Sequence, residues 1–228
     1  MGPTYAPRIK ICCISTVEEA ALAIACGASA LGLVSAMPSG PGVIREDQIA
    51  EIAATVPPPI ATFLLTSKQD VEEIIEQQRR CRTNCIQLCD CLASGAHADL
   101  RRALPGIKIV QVIHVTGPES IDEAVAVAPS VDAILLDSGN PALGVKELGG
   151  TGRSHDWSLS RRIREQISIP IFLAGGLNPR NVGQAMQAVV PFGLDLCSGV
   201  RTDGKLDPQK LRAFFAAVQS AKKHLTAT

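Results

Sequence analysis

Three glycine turns and one thiol–carboxyl pair carry most of the chemistry that can be read in these 228 residues. The turns are Gly149-Gly150-Thr151-Gly152-Arg153, Ala174-Gly175-Gly176-Leu177-Asn178 and Cys197-Ser198-Gly199-Val200. A phosphate is held where several backbone N–H groups converge, and glycine permits the close approach or positive φ that convergence needs. Gly150, Gly152, Gly175, Gly176, Ser198 and Gly199 are therefore the candidate phosphate contacts. Arg153 is either a further anchor or a loop cap. Ordinary turn glycines would explain one Gly-Gly pair; three such turns in succession favour the phosphate.

The pair is Cys12 and Asp137, each near the end of a strand-like run. A thiol acts as a base when positive charge or a helix N-terminus favours its thiolate, and a carboxyl acts as an acid when burial raises its pKa. On composition alone, a buried core thiol and a loop cap are the simpler readings of these two residues. Neighbouring strand residues alternate faces and a bulge would swap them, so either Cys12 or Cys13 faces the ligand.

The elements that must position these groups alternate along the chain. Runs rich in apolar and β-branched residues fall at 8–14, 30–35, 60–65, 85–89, 108–114, 133–137, 169–174 and 194–198. Helical spacing fills 16–25, 45–54, 68–78, 97–103, 120–128, 158–166, 181–189 and 208–220. Continuous apolar strands such as Ile134-Leu135-Leu136 suit a parallel sheet buried on both faces. Eight strand–helix units close most simply into a single (β/α)₈ TIM barrel of class α/β, with an open doubly wound sheet as the alternative. The expected domain is 1–228, with loose ends at 1–7 and about 221–228.

In a barrel, the active face is formed by the C-terminal ends of the strands. That rule nominates Cys12 and Cys13, Ser35, Leu65 and Thr66, Cys89, His114, Asp137, Gly175-Gly176 and Ser198-Gly199. His114 reads equally as a structural group, and Arg201 as a solvated loop charge.

Twenty-two basic residues balance twenty-two acidic ones, which leaves no field to draw nucleic acid or an anionic membrane. Aromatics at 3% supply no stacking platform for single strands. No apolar run reaches the length of a membrane span and no secretory signal opens the chain, so a soluble, cytoplasmic protein is expected. Cysteines 81, 85, 89 and 91 lack the paired spacing of a zinc site, and nothing marks a disulfide framework. Most of the eight thiols read as small buried hydrophobes, and no metal is expected.

Several motifs in order resemble the phosphoribosylanthranilate isomerase family of tryptophan biosynthesis. They are Lys10-Ile11-Cys12-Cys13-Ile14-Ser15, the strand ending in Asp137, Gly149-Gly150-Thr151-Gly152-Arg153 followed by Asp156-Trp157-Ser158-Leu159, Leu173-Ala174-Gly175-Gly176-Leu177-Asn178-Pro179, and Cys197-Ser198-Gly199-Val200. The resemblance spans Lys10 to about Val218 and implies a cofactor-free barrel that performs an Amadori rearrangement of an N-phosphoribosyl amine. By position, it makes Asp137 the acid that opens the furanose and Cys12 the base that removes the C2 proton. The implied partner is a small phosphorylated sugar, and the assembly a monomer or homodimer.

Three departures from the family pattern fall on the side that would face the aromatic amine. Gly42 stands where the family's carboxylate-binding arginine aligns, Cys13 replaces a glycine, and Cys89-Asp90 replace a His-Gly pair. These changes keep two alternatives open: an isomerase acting on another phosphoribosyl amine or aldose phosphate, and a non-catalytic sugar-phosphate-binding relative.

Overall fold

The structure, a computed structural model, describes residues 6–225, with side chains as far as Lys222. Eight parallel strands form the centre: β1 (Arg8–Ile11), β2 (Ala30–Val34), β3 (Ala61–Thr66), β4 (Cys85–Leu88), β5 (Lys108–His114), β6 (Ala133–Asp137), β7 (Ile171–Leu173) and β8 (Gly193–Leu196). They pair in chain order and β8 returns to β1, so the sheet is a closed barrel and not the open alternative. Between and after them run α1 (Val17–Ala25), α2 (Glu46–Thr55), α3 (Val71–Cys81), α4 (His97–Ala103), α5 (Glu119–Val127), α6 (Trp157–Gln166), α7 (Val182–Val189) and α8 (Pro208–Leu225).

The period-two alternation of the strands divides the core in two. Ile9, Ile11, Leu31, Leu33, Leu64, Ile86, Leu88, Ile134, Leu136 and Leu194 pack outward with the helices. The opposite parity, Cys12, Ala30, Phe63, Leu65, Cys85, Val110, Val112, Ala133, Leu135 and Phe172, forms a separate cluster inside the barrel. Small residues dominate this inner set, and Phe63 and Phe172 fill its remaining space edge to face, 5.9 Å apart.

One charged pair sits among them. Lys10 and Asp195 lie level on β1 and β8, their Nζ and Oδ2 3.0 Å apart, with Lys10 fully buried and 5.2 Å from the centre of the Phe63 ring. Burial works against the ammonium, but Asp195 and the nearby Cys12 sulfur hold its pKa above the ordinary lysine value. Gly32 leaves the space this requires: a Cβ there would lie 2.8 Å from Cys12 Sγ and 3.1 Å from Lys10 Nζ.

The structure departs from the expected elements at three places. Strand β1 stops at Ile11 because Cys13 turns into the left-handed region at φ 62°. A short hairpin, β9 (Arg201–Thr202) with β10 (Lys205–Leu206), follows the barrel; Asp203-Gly204, both at positive φ, is the turn signal that marks it in the sequence. Helix α8 continues through Leu225, past the expected loosening at 221, because Val218 and Ala221 remain buried at helical spacing. The remaining expected loose residues, 1–5 and 226–228, lie outside the described residues. Among the described residues no helix is long and apolar enough to cross a membrane.

Candidate active site

A cleft of about 730 Å³, measured out to its open mouth, occupies the C-terminal end of the barrel. Its walls continue the inner parity of the strands: Cys12, Val34, Leu65, Gln87, Cys89, Val112, Leu135, Asp137, Ala174, Asp195 and Cys197. Cys12 and Asp137 therefore face the same space from β1 and β6.

Cys13 lines the cleft as well. Ordinary strand geometry would send it to the opposite face, but its left-handed backbone breaks the alternation, so the expected choice between the two thiols does not arise. A side chain in this region costs roughly 1 kcal/mol relative to glycine. The family glycine at this position has a backbone reason, and Cys13 carries the strain.

Asp137 is buried, 6% exposed, and burial pushes its carboxyl above the usual range, partly offset by the Ser138 backbone N–H. Its Oδ2 lies 3.1 Å from where a Cβ on Gly149 would stand, so the first glycine turn closes directly over the carboxyl. Ser138 Oγ and Thr151 Oγ1, 2.8 Å apart, tie that turn to the end of β6.

The three glycine turns interlock. A Cβ on Gly176 would lie 2.8 Å from the Gly152 carbonyl, and one on Gly199 would lie 2.0 Å from the Leu177 carbonyl. Backbone thus meets backbone at distances that side chains forbid. Gly150, Gly152, Gly175, Gly176 and Ser198 line the cleft; Gly199 does not, and instead lets the third turn pack beneath the second. A single 3₁₀ turn, Ser198–Val200, follows β8.

Other expected positions fall elsewhere. Gly42 is outside the cleft, at φ 80°, and a Cβ there would lie 2.4 Å from Cys13 Cβ. Arg153 is 58% exposed and pairs with Glu147 away from the cleft wall. Cys89 does line the cleft and is buried, which pushes its thiol pKa well up. His114 serves a structural end: its Nε2 meets the Cys89 carbonyl at 3.0 Å.

Arg201 corrects the sequence expectation most plainly. It is 8% exposed, pairs with Glu19 at 2.9 Å, and donates to the carbonyls of Cys12 and Cys13. It braces the end of β1 from behind; no local signal reveals this, because Glu19 lies 182 positions away. Although burial raises it, Glu19 is held below the usual carboxyl range by Arg201 and by the N–H groups of Leu206 and Ser15.

A second feature that sequence reading missed spans the mouth. Lys146, on the loop after β6, reaches Asp90 Oδ2 beside Cys89 at 2.5 Å, while its carbonyl accepts from Ser39 Oγ at 2.7 Å. The loops after β2, β4 and β6 therefore meet at one residue. Gln87, Leu148 and Met37 complete the wall on that side.

A closed eight-stranded α/β barrel with its site on the C-terminal rim is the architecture of the (β/α)₈-barrel enzymes. Residues 9–217 match the family model described as N-(5'phosphoribosyl)anthranilate (PRA) isomerase. The chain is 38% identical over 210 residues to N-(5'-phosphoribosyl)anthranilate isomerase 2 of Methanosarcina mazei, covering 91% of this chain and 92% of that protein. Among solved structures it is similar to phosphoribosyl anthranilate isomerase of Thermotoga maritima, with a TM-score of 0.77 and 27% identity, covering 94% of this chain and 99% of that one. A phosphoribosyl anthranilate isomerase complexed with reduced 1-(o-carboxyphenylamino)-1-deoxyribulose 5-phosphate is also similar, with a TM-score of 0.75 and 25% identity over 94% and 99% of the two chains. The chain belongs to the phosphoribosylanthranilate isomerase family.

Proposed function

We propose that this protein is the isomerase of tryptophan biosynthesis that converts N-(5-phosphoribosyl)anthranilate to its 1-amino-1-deoxyribulose 5-phosphate form by acid–base catalysis. The observation that carries this reading is Cys12 and Asp137 facing one cleft, with Asp137 buried and its carboxyl pKa raised. An aldose-to-ketose shift needs one donor at the ring oxygen and one acceptor at C2. Asp137 gives its proton to the furanose oxygen, which opens the ring to a Schiff base. Cys12 then takes the C2 proton, leaving the enolamine that tautomerises to the ketose. No cofactor enters this sequence of proton transfers.

The phosphate binds at the interlocked turns, on the backbone of Gly150, Gly152, Gly175, Gly176 and Ser198, with Gly199 supporting them from beneath. Anchoring that end fixes C2 and the ring oxygen between base and acid, which is where positioning lowers the barrier. The 5-phosphate of the ligand named in the similar complex supports a phosphorylated substrate. The amine lies towards Cys13, Cys89 and Leu148.

The missing arginine has a local replacement in this reading. The anthranilate carboxylate shares the Lys146 ammonium with Asp90; Lys146 is 39% exposed at the mouth, while the buried Asp90 keeps its partner. This favours anthranilate over an amine without a carboxylate. The expected setting is the cytoplasm, as a monomer or homodimer, with a small phosphorylated sugar as the partner and neither nucleic acid nor membrane.

Turnover of phosphoribosylanthranilate, followed by loss of anthranilate fluorescence, tests the activity. Turnover by the native chain, strongly reduced in Cys12→Ala and Asp137→Asn, is the expected result. Undiminished activity in either variant would remove the assigned role, and absence of turnover in the native chain would remove the substrate.

A further inference from the structure

Cys13 and Cys197 come from adjacent strand ends, since Cys12 N–H bonds the Leu196 carbonyl at 2.8 Å and fixes the two segments side by side. Their sulfurs stand 2.6 Å apart. Both line the cleft; Cys13 is 4% exposed, while Cys197 is partly open to it. The isomerisation uses neither thiol for proton transfer. We propose that Cys13 and Cys197 are a peroxide-reactive thiol pair that closes to a disulfide across the floor of the cleft.

Charge and burial give the two sulfurs different parts. Cys197 is shifted below the ordinary thiol range by hydrogen bonding to Cys13 and, against its burial, by the Arg201 guanidinium. Cys13 is pushed well above that range by hydrogen bonding to Cys12 and Cys197 and by burial. Of the two, Cys197 is the readier to ionise and Cys13 the readier to keep its proton. The more acidic and more open thiol of such a pair is the one that oxidises first and is then resolved by its neighbour.

The steps balance with hydrogen peroxide as the oxidant. Cys197 thiolate attacks one peroxide oxygen, the O–O bond breaks, and hydroxide leaves with a sulfenic acid on Cys197. Cys13 gives up its proton and attacks the sulfenic sulfur; the S–S bond forms as the S–O bond breaks and water departs. Two electrons pass from the thiols to the peroxide. Ser198, a candidate phosphate contact, follows Cys197 directly, and Cys12 precedes Cys13. The bond thus ties the base to the phosphate turn and narrows the space between them.

The test uses the full-length native chain with equimolar hydrogen peroxide, alkylation of the remaining thiols, and peptide mass spectrometry. The expected product is the Cys13 peptide joined to the Cys197 peptide, two hydrogens lighter than the sum, and reversed by dithiothreitol. In Cys13→Ser the sulfenic acid should persist on Cys197 and be trapped by dimedone; in Cys197→Ser the cross-link should disappear. Full alkylation of both thiols after peroxide would overturn the proposal. So would a cross-link through Cys12, or dimedone on Cys13 in the native chain. Isomerase activity is scored separately, so a failed substrate assay leaves the thiol result standing.

Discussion

The two halves of the cleft mouth are built from different material. The half proposed for the phosphate is largely backbone against backbone: three turns meet where Gly176 and Gly199 have no room for a methyl group. The half proposed for the amine is side chain against side chain: Cys13, Cys89 and Leu148 line it, with the Asp90–Lys146 pair beside them. Two of the three departures from the family pattern, Cys13 and Cys89, line the second half, and the third, Gly42, packs against Cys13 from outside the cleft. At Gly176 and Gly199 a side chain would have to move a neighbouring turn, whereas a wall of side chains can be altered by exchanges that compensate one another. Cys13 and Gly42 are such an exchange: a side chain at 13 fills the space that a side chain at 42 would occupy.

The largest effect that would test this division is on the groups common to both halves. Asp137→Asn and Cys12→Ala should each lower kcat by roughly 10²–10⁴-fold with the fold kept, as read by steady-state kinetics and circular dichroism. Burial raises Asp137, so its acid form is present below that raised pKa, and rate should fall as pH rises through it. The residual activity of Asp137→Asn should lack this decline.

Next comes the cradle. Gly176→Ala and Gly199→Ala should each cost about 1–3 kcal/mol in urea unfolding, and Gly176→Ala should also raise KM; equal stability with native KM would show that the turns have slack. The exchange on the other half predicts coupling. Gly42→Ala should destabilise the native chain by about 1–3 kcal/mol and cost less in a Cys13→Gly background, the remainder coming from the residue-13 Cα at 2.9 Å and the φ of 80°; a double-mutant cycle giving strictly additive effects would break the comparison.

Smaller effects are expected at the rim. Lys146→Met should raise KM for phosphoribosylanthranilate by up to roughly tenfold, about 1.4 kcal/mol, with kcat little changed. An unchanged KM would move the carboxylate elsewhere. Finally, the folded-state pKa of Glu19 is depressed, so its contribution to stability is present above the unfolded carboxyl pKa and lost as pH falls through the folded one. Glu19→Gln should flatten that acid limb in denaturant titrations.

The barrel was legible because alternation and helical spacing recur eight times, and a parallel sheet buried on both faces leaves continuous apolar runs such as 134–136. The cleft was legible where position along a strand decides facing, as for Asp137. It was less so where one residue leaves the regular path: nothing in the type of Cys13 announces a left-handed backbone, and this single φ brings two consecutive thiols to the cleft. Contacts between distant segments were the least visible. Arg201 looks like a loop charge until Glu19 and the carbonyls of Cys12 and Cys13 surround it, and Lys146 looks like a surface lysine until the loops after β2 and β4 arrive beside it.

At the bottom of the cleft, where Asp195 lines the wall and Lys10 lies behind it, the pair has a consequence for how the sequence can drift. Replacing either alone strands the other charge among Phe63 and the aliphatic floor, a loss of several kcal/mol, whereas an apolar pair of matching volume could be neutral. The two positions can therefore change only together, through an intermediate that folds poorly. The floor is locked against stepwise drift, while the rim above it remains open to reshaping.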